Sequence, residues 1–374
     1  MRHLRLTLAA VVAFALAPAP ATAAERGTIR GVVINETTGR PQRGVEITLT
    51  GGRSDGSERE TSSATTDARG RYRFRNLPTG DDRFYVVDAR YRGGFFPGSP
   101  VSLPATTSRP PVIETRLKVW ETTKDPETIL LARDNVFLTR GEGGVDVIES
   151  VTIANLTEHA YIGRGTDPGA PSVSLPLPGG ARRGGAEVID SDLDIPELVT
   201  TETGLGLTVA IPPGEWRITY AYRVPGSAGN HDLSRVASYP VVQASVHAAE
   251  GIDIASNRLV SNGQVTIGGV EYRRWSATEA VEAGESLQIA ATVGGAPATG
   301  RTALAAAAAV AALLVVATVW RNRRPRRVRR PRDEVLREVA ELDIRHDRGE
   351  LARDEWKERR ADLIAELDAR GSRR

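Results

Sequence analysis

Residues 66–80 read TDARGRYRFRNLPTG, and this stretch decides how the N-terminal part of the chain folds. Tyr72 and Phe74 alternate with Arg71, Arg73 and Arg75, the period of two expected of a strand with one face in a core and the other in water. Turn residues bracket the run, with Asp67 and Gly70 before it and Leu77-Pro78-Thr79-Gly80 after it. A single strand is not stable, so partners must lie on either side. Upstream, residues 28–34 read as a strand and 35–41 as a turn, and Val45, Ile47 and Leu49 alternate with Glu46, Thr48 and Thr50. A small β-sandwich over residues 26–118 accounts for the pattern. Its Arg71, Arg73 and Arg75 face reads either as a solvated strand face or as a platform for an anion or glycan.

The arrangement of Gly31, Pro41, Gly44-Val45, Thr66-Asp67, Gly70, Tyr72, Phe74 and Leu77-Pro78-Thr79-Gly80 resembles the carboxypeptidase regulatory-like family. The resemblance implies a transthyretin-like, seven-stranded Greek-key sandwich grouped with carbohydrate-binding-like folds. It also implies an accessory module without the peptidase zinc site, so no activity follows from it.

Further along, residues 121–293 read as a second β-sandwich. Residues 129–138 and 145–153 are rich in β-branched side chains, and Trp216, Ile218, Tyr220 and Tyr222 recur at spacing two. Gly268-Gly269 between Val265-Thr266-Ile267 and Val270-Glu271-Tyr272 is the two-residue link of a tight hairpin. Composition agrees with two β domains: 374 residues, 5% aromatic, with 37 Gly and 22 Pro. Cysteine is absent, which excludes disulfide staples, thiol chemistry and zinc-thiolate sites.

Residues 302–320, TALAAAAAVAALLVVATVW, carry no charge and no proline. As a helix they would reach roughly 28 Å, close to the hydrocarbon thickness of a bilayer. Nine of them are alanine, so insertion rests on seven Leu and Val residues, about −2 to −4 kcal/mol in total. The flank is decisive. Arg321, Arg323, Arg324, Arg326, Arg327, Arg329, Arg330 and Arg332 place eight arginines in residues 321–332 without an acid, a block that stays cytoplasmic and can meet anionic lipid headgroups. At the other end, Arg2 and Arg5, an apolar run over residues 6–16 and Ala21-Thr22-Ala23 read as a signal peptide over residues 1–23. Together these predict a single-pass protein of the cell (inner or plasma) membrane, N-terminus outside and C-terminus inside.

The formal charge of +2 is segregated along that topology. Residues 24–301 hold 29 basic against 34 acidic side chains, net −5, and residues 321–374 hold 18 against 13, net +5. A nucleic-acid partner is not expected of either part. Residues 333–374 read as a short cytoplasmic α-hairpin turning at Asp347-Arg348-Gly349, with Trp356 between its faces. Self-association or a cytoplasmic partner would stabilise so small a unit. The hairpin looks like those at the C-termini of many bacterial membrane proteins and is similar to one in a cytochrome c maturation subunit.

Few residue patterns carry chemistry. Asp190, Asp192, Asp194 and Glu197 place alternate carboxylates on an extended segment, a candidate Ca²⁺ site; a solvated edge strand is the simpler reading. His247 and Glu250 have the H-x-x-E spacing of zinc ligands, but no third ligand follows before the span. Gly52-Arg53-Ser54-Asp55-Gly56 spells a nucleophile elbow without the required strand-to-helix context, and reads as a hairpin loop. His231, Asp232 and Ser234 likewise read as a loop. No catalytic residue is assigned. The expectation is a non-enzymatic envelope protein whose β-sandwiches bind a carbohydrate or protein partner. The alternatives are a membrane assembly factor, in cytochrome c maturation if the tail is the guide, and a metal-dependent hydrolase resting on His247 and Glu250.

Overall fold

The computed structural model describes residues 26–105, 109–165, 169–194, 198–226 and 229–294. The expected signal peptide, the apolar stretch at 302–320, the arginine block and the tail hairpin all lie outside them. Among the described residues no helix is long and apolar enough to cross a membrane. Helical structure there is confined to two single 3₁₀ turns, at Pro126–Thr128 and Arg183–Gly185.

Alternation builds the first module as the sequence predicts. Its seven principal strands are β1 (Arg26–Asn35), β2 (Glu46–Arg53), β3 (Glu60–Thr65), β4 (Arg71–Pro78), β5 (Arg83–Tyr91), β6 (Gly94–Phe96) and β7 (Val112–Val119). One sheet has the order β4-β1-β7, with β1 antiparallel to β4 and parallel to β7; the other has the order β3-β2-β5-β6. Tyr72 and Phe74 are buried, and Arg71, Arg73 and Arg75 are exposed. Two tyrosines need glycine opposite them. A Cβ on Gly51 would overlap the Tyr85 ring, and one on Gly31 would meet the Tyr72 hydroxyl, which hydrogen bonds to Thr115 Oγ1 at 2.6 Å. The residues 35–41 that read as a turn also contribute a two-residue ladder, Arg40–Pro41, to β1.

The second module is built on β8 (Ile129–Gly141), β9 (Gly144–Asn155), β10 (Val173–Pro176), β11 (Glu187–Ser191), β12 (Leu198–Thr200), β13 (Gly204–Leu207) and β14 (Gly214–Pro225). There follow β15 (Gly229–Asp232), β16 (Ala244–Ala249), β17 (Ile252–Ser256), β18 (Leu259–Ile267), β19 (Val270–Ala277) and β20 (Ile289–Val293). A seven-stranded sheet of order β11-β14-β9-β8-β16-β19-β18 forms one layer. Facing it are β10-β13-β12, β15-β20-β17 and the short pair Arg235–Val236 with Ser286–Leu287. One contiguous core lies between the layers, with Leu138, Ile153, Leu207, Ile218 and Tyr220 fully buried. Gly268 and Gly269, with φ of 58° and 83°, make the two-residue turn between β18 and β19. His231 and Asp232 lie in β15, paired with β20, rather than in a loop.

The two modules pack as one unit. Glu121, just after β7, accepts hydrogen bonds from Asn35 Nδ2 at 2.9 Å and the Tyr91 hydroxyl at 2.6 Å, and lies 3.4 Å from Arg92 Nε. The Tyr91 hydroxyl, above all, holds the Glu121 carboxyl below the usual carboxylate range. Thr37 Oγ1 donates to the Glu158 carbonyl at 3.1 Å, and the Ala210 N–H donates to the Phe95 carbonyl at 2.9 Å. Apolar contact crosses the seam as well: Ala160 and Ala210 belong to the core of the first module, and Phe95 packs on that of the second.

Candidate ligand-binding faces

Strand β5 explains one exposed face. Its inward residues Tyr85, Val87 and Ala89 are buried, which turns Phe84, Val86, Asp88 and Arg90 outward. Across the β2–β5 ladder they stand opposite Gly52, Thr50, Thr48 and Glu46. Phe84 is 39% exposed, and with Val86, Phe95 and Pro97 it lines a groove of about 380 Å³ whose polar wall includes Thr50, Arg53, Arg59 and Asp88. Arg53 is held there by Glu58 at 2.8 Å and Asp82 at 2.5 Å. Burial pushes the Asp88 carboxyl up, although the Gly98 N–H donates to it at 3.4 Å. An apolar floor beside a few fixed polar groups is the usual composition of a small-ligand site.

The outer face of the other sheet is cationic. Arg73 stands directly opposite Arg30 across the β1–β4 ladder, and Arg71 opposite Val32. Glu114 pairs with Arg30, and Asp67 pairs with Arg71 at 2.8 Å. Asp67 sits at about 2 because it accepts from the Arg71 backbone N–H, and after that from the Arg71 side chain.

A third cluster lies inside the second sandwich. Strand β9 points Val145, Val147, Glu149, Val151 and Ile153 into the core, so a carboxylate occupies an inward position. Glu149 accepts from the Tyr220 hydroxyl at 2.7 Å, the Tyr222 hydroxyl at 3.0 Å and Arg235 Nη1 at 3.2 Å. Arg235 reaches across from the facing layer and donates through Nη2 to Asp134 at 2.7 Å. Burial raises Glu149 to about 7, against the attraction of Arg235; burial and then Glu149 raise both tyrosines. Sequence reasoning missed this network. The signal available was the single acid within an inward register of Val and Ile.

The residues singled out from sequence fall as follows. Asp190 and Asp192 converge on Arg217, at 2.9 and 3.8 Å, so a guanidinium occupies the place between them. A bulge between Val188 and Asp190 breaks the alternation expected there, and Asp194 accepts from Ser99 Oγ at 3.2 Å. Glu197 lies outside the described residues. Among those described, no three His, Cys, Asp or Glu side chains come close enough to hold a metal. His247 is buried in β16 with its ring stacked 4.6 Å from that of Phe137, whereas Glu250 is exposed in the turn that follows. Burial, then Arg274, lowers His247 to about 4. Ser54 lies in the turn after β2, its N–H donating to the Asp82 carbonyl at 2.8 Å, and Ser234 Oγ accepts from the Ile289 N–H at 3.1 Å.

Residues 28–108 match the carboxypeptidase regulatory-like domain family, in agreement with the resemblance carried by Gly31, Tyr72, Phe74 and the Leu77-Pro78-Thr79-Gly80 turn. No curated protein matches the chain. Among solved structures, the dioxygenase domain of a carbohydrate-binding fusion protein from Streptomyces sp. SirexAA-E is 17% identical over 27% of this chain and 84% of that one, with a TM-score of 0.21. An M1 zinc metallopeptidase from Deinococcus radiodurans is 14% identical over 44% of this chain and 42% of its own, with a TM-score of 0.28. The major pilin SpaD from Corynebacterium diphtheriae is 12% identical over 70% of this chain and 82% of its own, with a TM-score of 0.21. The chain thus spans less than half the length of that metallopeptidase. Likenesses this distant carry no argument about activity or partners.

Proposed function

We propose that the chain is a single-pass, membrane-anchored accessory protein of a bacterial-type envelope. Both β modules lie outside the membrane and bind a carbohydrate or protein partner, without catalysis. The observation that carries the binding half is Phe84, exposed at 39% in a groove of about 380 Å³. A sugar ring presents an apolar C–H face and a rim of hydroxyls. Phe84 and Val86 suit the first, and Thr50, Arg59 and Asp88 suit the second. The anchoring half is supported by the signal-like residues 1–23, the apolar residues 302–320 and the arginine block after them.

Retention of the full-length protein on cellulose, chitin and peptidoglycan tests the binding. Retention on one of them, lost in Phe84→Ala with an unchanged melting curve, is the expected result. A photo-crosslinker at Val86 that captures one envelope protein instead makes the partner a protein; failure of both assays removes the reading. For topology, external protease on intact cells should digest the β modules and spare a tag after Arg374, and the reverse pattern would invert the orientation.

A further inference from the structure

The sheet β4-β1-β7 turns Arg71, Arg73 and Arg75 outward from β4, Arg30 from β1, and Arg116 and Lys118 from β7. In register, Arg73, Arg30 and Glu114 form one row across the three strands, and Arg71, Val32 and Arg116 the next. The carboxylates on this surface are few. Glu114 pairs with Arg30, Asp67 with Arg71, and Glu36 with Lys118 at 3.6 Å. Among the described residues Arg73, Arg75 and Arg116 have no acidic partner. A shallow groove of about 730 Å³ runs over this surface, bordered by Arg30, Val32, Arg73, Arg75 and Glu114.

A charged edge strand also protects a sheet against pairing with another. One or two charges on β4 meet that need. They do not call for Arg30 on the central strand directly opposite Arg73, where like charges repel. Nor do they call for arginine at three successive outward positions of β4, the side chain whose planar fork matches phosphate and carboxylate oxygens. The cations are also local, since residues 24–301 as a whole are acidic, 29 basic against 34 acidic. Successive outward residues of a strand lie about 6.6–6.8 Å apart. A small anion would occupy one arginine and leave the other repelling; a chain of anions at similar spacing meets both Arg73 and Arg75, the two on β4 without an acidic partner.

We propose that this face binds a linear anionic polymer of the envelope, carrying a phosphodiester or carboxylate group about every 6–7 Å, laid along β4. The site is separate from the Phe84 groove on the other sheet. Only the envelope source of the polymer rests on the exported topology proposed above; the binding does not.

The test is titration of the full-length protein with poly(glycerol phosphate), polygalacturonate, uncharged dextran and phosphatidylglycerol vesicles. Tight binding to one or both anionic polymers and none to dextran is expected, and the two polymer arms tell phosphate from carboxylate. Arg73→Glu with Arg75→Glu should weaken binding by about tenfold or more and lower the slope of log affinity against log salt by about two. Replacing both with lysine should cost less than reversal. Both side chains are exposed and Arg73→Glu removes the repulsion from Arg30, so the urea midpoint should not fall; the single Arg75→Gln variant, which removes one cation, gives the same reading if the double reversal unfolds. Phe84→Ala should leave polymer binding intact, which separates this site from the groove. Failure of wild type to bind either polymer, unaltered binding in the variants, or equal affinity for the vesicles through the same arginines would overturn the proposal.

Discussion

Burial holds the Glu149 carboxyl at about 7 and the His247 imidazole at about 4, and the two act oppositely on stability. In the folded chain Glu149 keeps a proton that the unfolded chain releases. Its contribution is complete below about 4.5 and is lost as pH rises through about 7. His247 prefers to be neutral, so its contribution is present above about 6.5 and is lost as pH falls through about 4. The His247 difference corresponds to about 3 kcal/mol, and between pH 4.5 and 6.5 the Glu149 slope runs against it. Urea unfolding across that range should show this by subtraction. Relative to wild type, His247→Leu should gain stability as pH falls, and Glu149→Gln should lose it; differences independent of pH would mean that neither group titrates as described. The two residues were not equally legible. His247 drew notice for its spacing from Glu250, which the fold does not use. Asp134 and Glu149 are 15 residues apart on the paired strands β8 and β9, and Arg235 joins them only because the facing layer packs across that sheet.

At the level of elements, most strands could be read because a half-buried strand writes its two faces into every second residue. Strand β4 is the clearest case. Phe74→Ala removes a ring that is 6% exposed and should cost about 3–5 kcal/mol, whereas Arg73→Ala on the opposite face should stay within about 0.5. Equal urea midpoints for the two variants would place the strand on the wrong face. The Gly268-Gly269 hairpin was legible for a related reason, since two successive positive φ angles favour glycine. What escaped was irregularity. The bulge at Val188/Asp190 shifts Asp190 and Asp192 onto Arg217, 25 or more residues away in sequence, and no local pattern announces it. Short strands such as β15 are too brief to show a period, so His231 and Asp232 looked like loop residues.

For the molecule as a whole, the seam at Glu121 has a measurable consequence. Hydrogen bonds to a carboxylate contribute about 1.5–3 kcal/mol each, and Glu121 accepts two from the first module while leading into the second. Calorimetry of the intact chain should therefore show the β modules melting in one transition, and Glu121→Ala should split it into two; two transitions in the wild type would show independent modules. The parallel pairing of β1 with β7 bears on how the first module carries tension. Its entry strand and exit strand run side by side in the same direction, joined at eight register pairs from Thr28↔Val112 to Asn35↔Val119. A pull applied at Arg26 and Val119 is thus directed along the ladder, and its bonds share the load in shear, whereas a pull across the β2–β3 hairpin opens its bonds one after another. Forced unfolding follows the unfolding barrier rather than the equilibrium free energy. Optical-tweezer handles at Arg26 and Val119 should therefore require a higher rupture force than handles at Glu46 and Thr65, the open end of that hairpin, and equal forces would show that the ladder does not bear the load. Arg30 and Arg116 both lie within this ladder, opposite Glu114 and Val32, so the two strands that bear the pull also hold part of the cationic face in place.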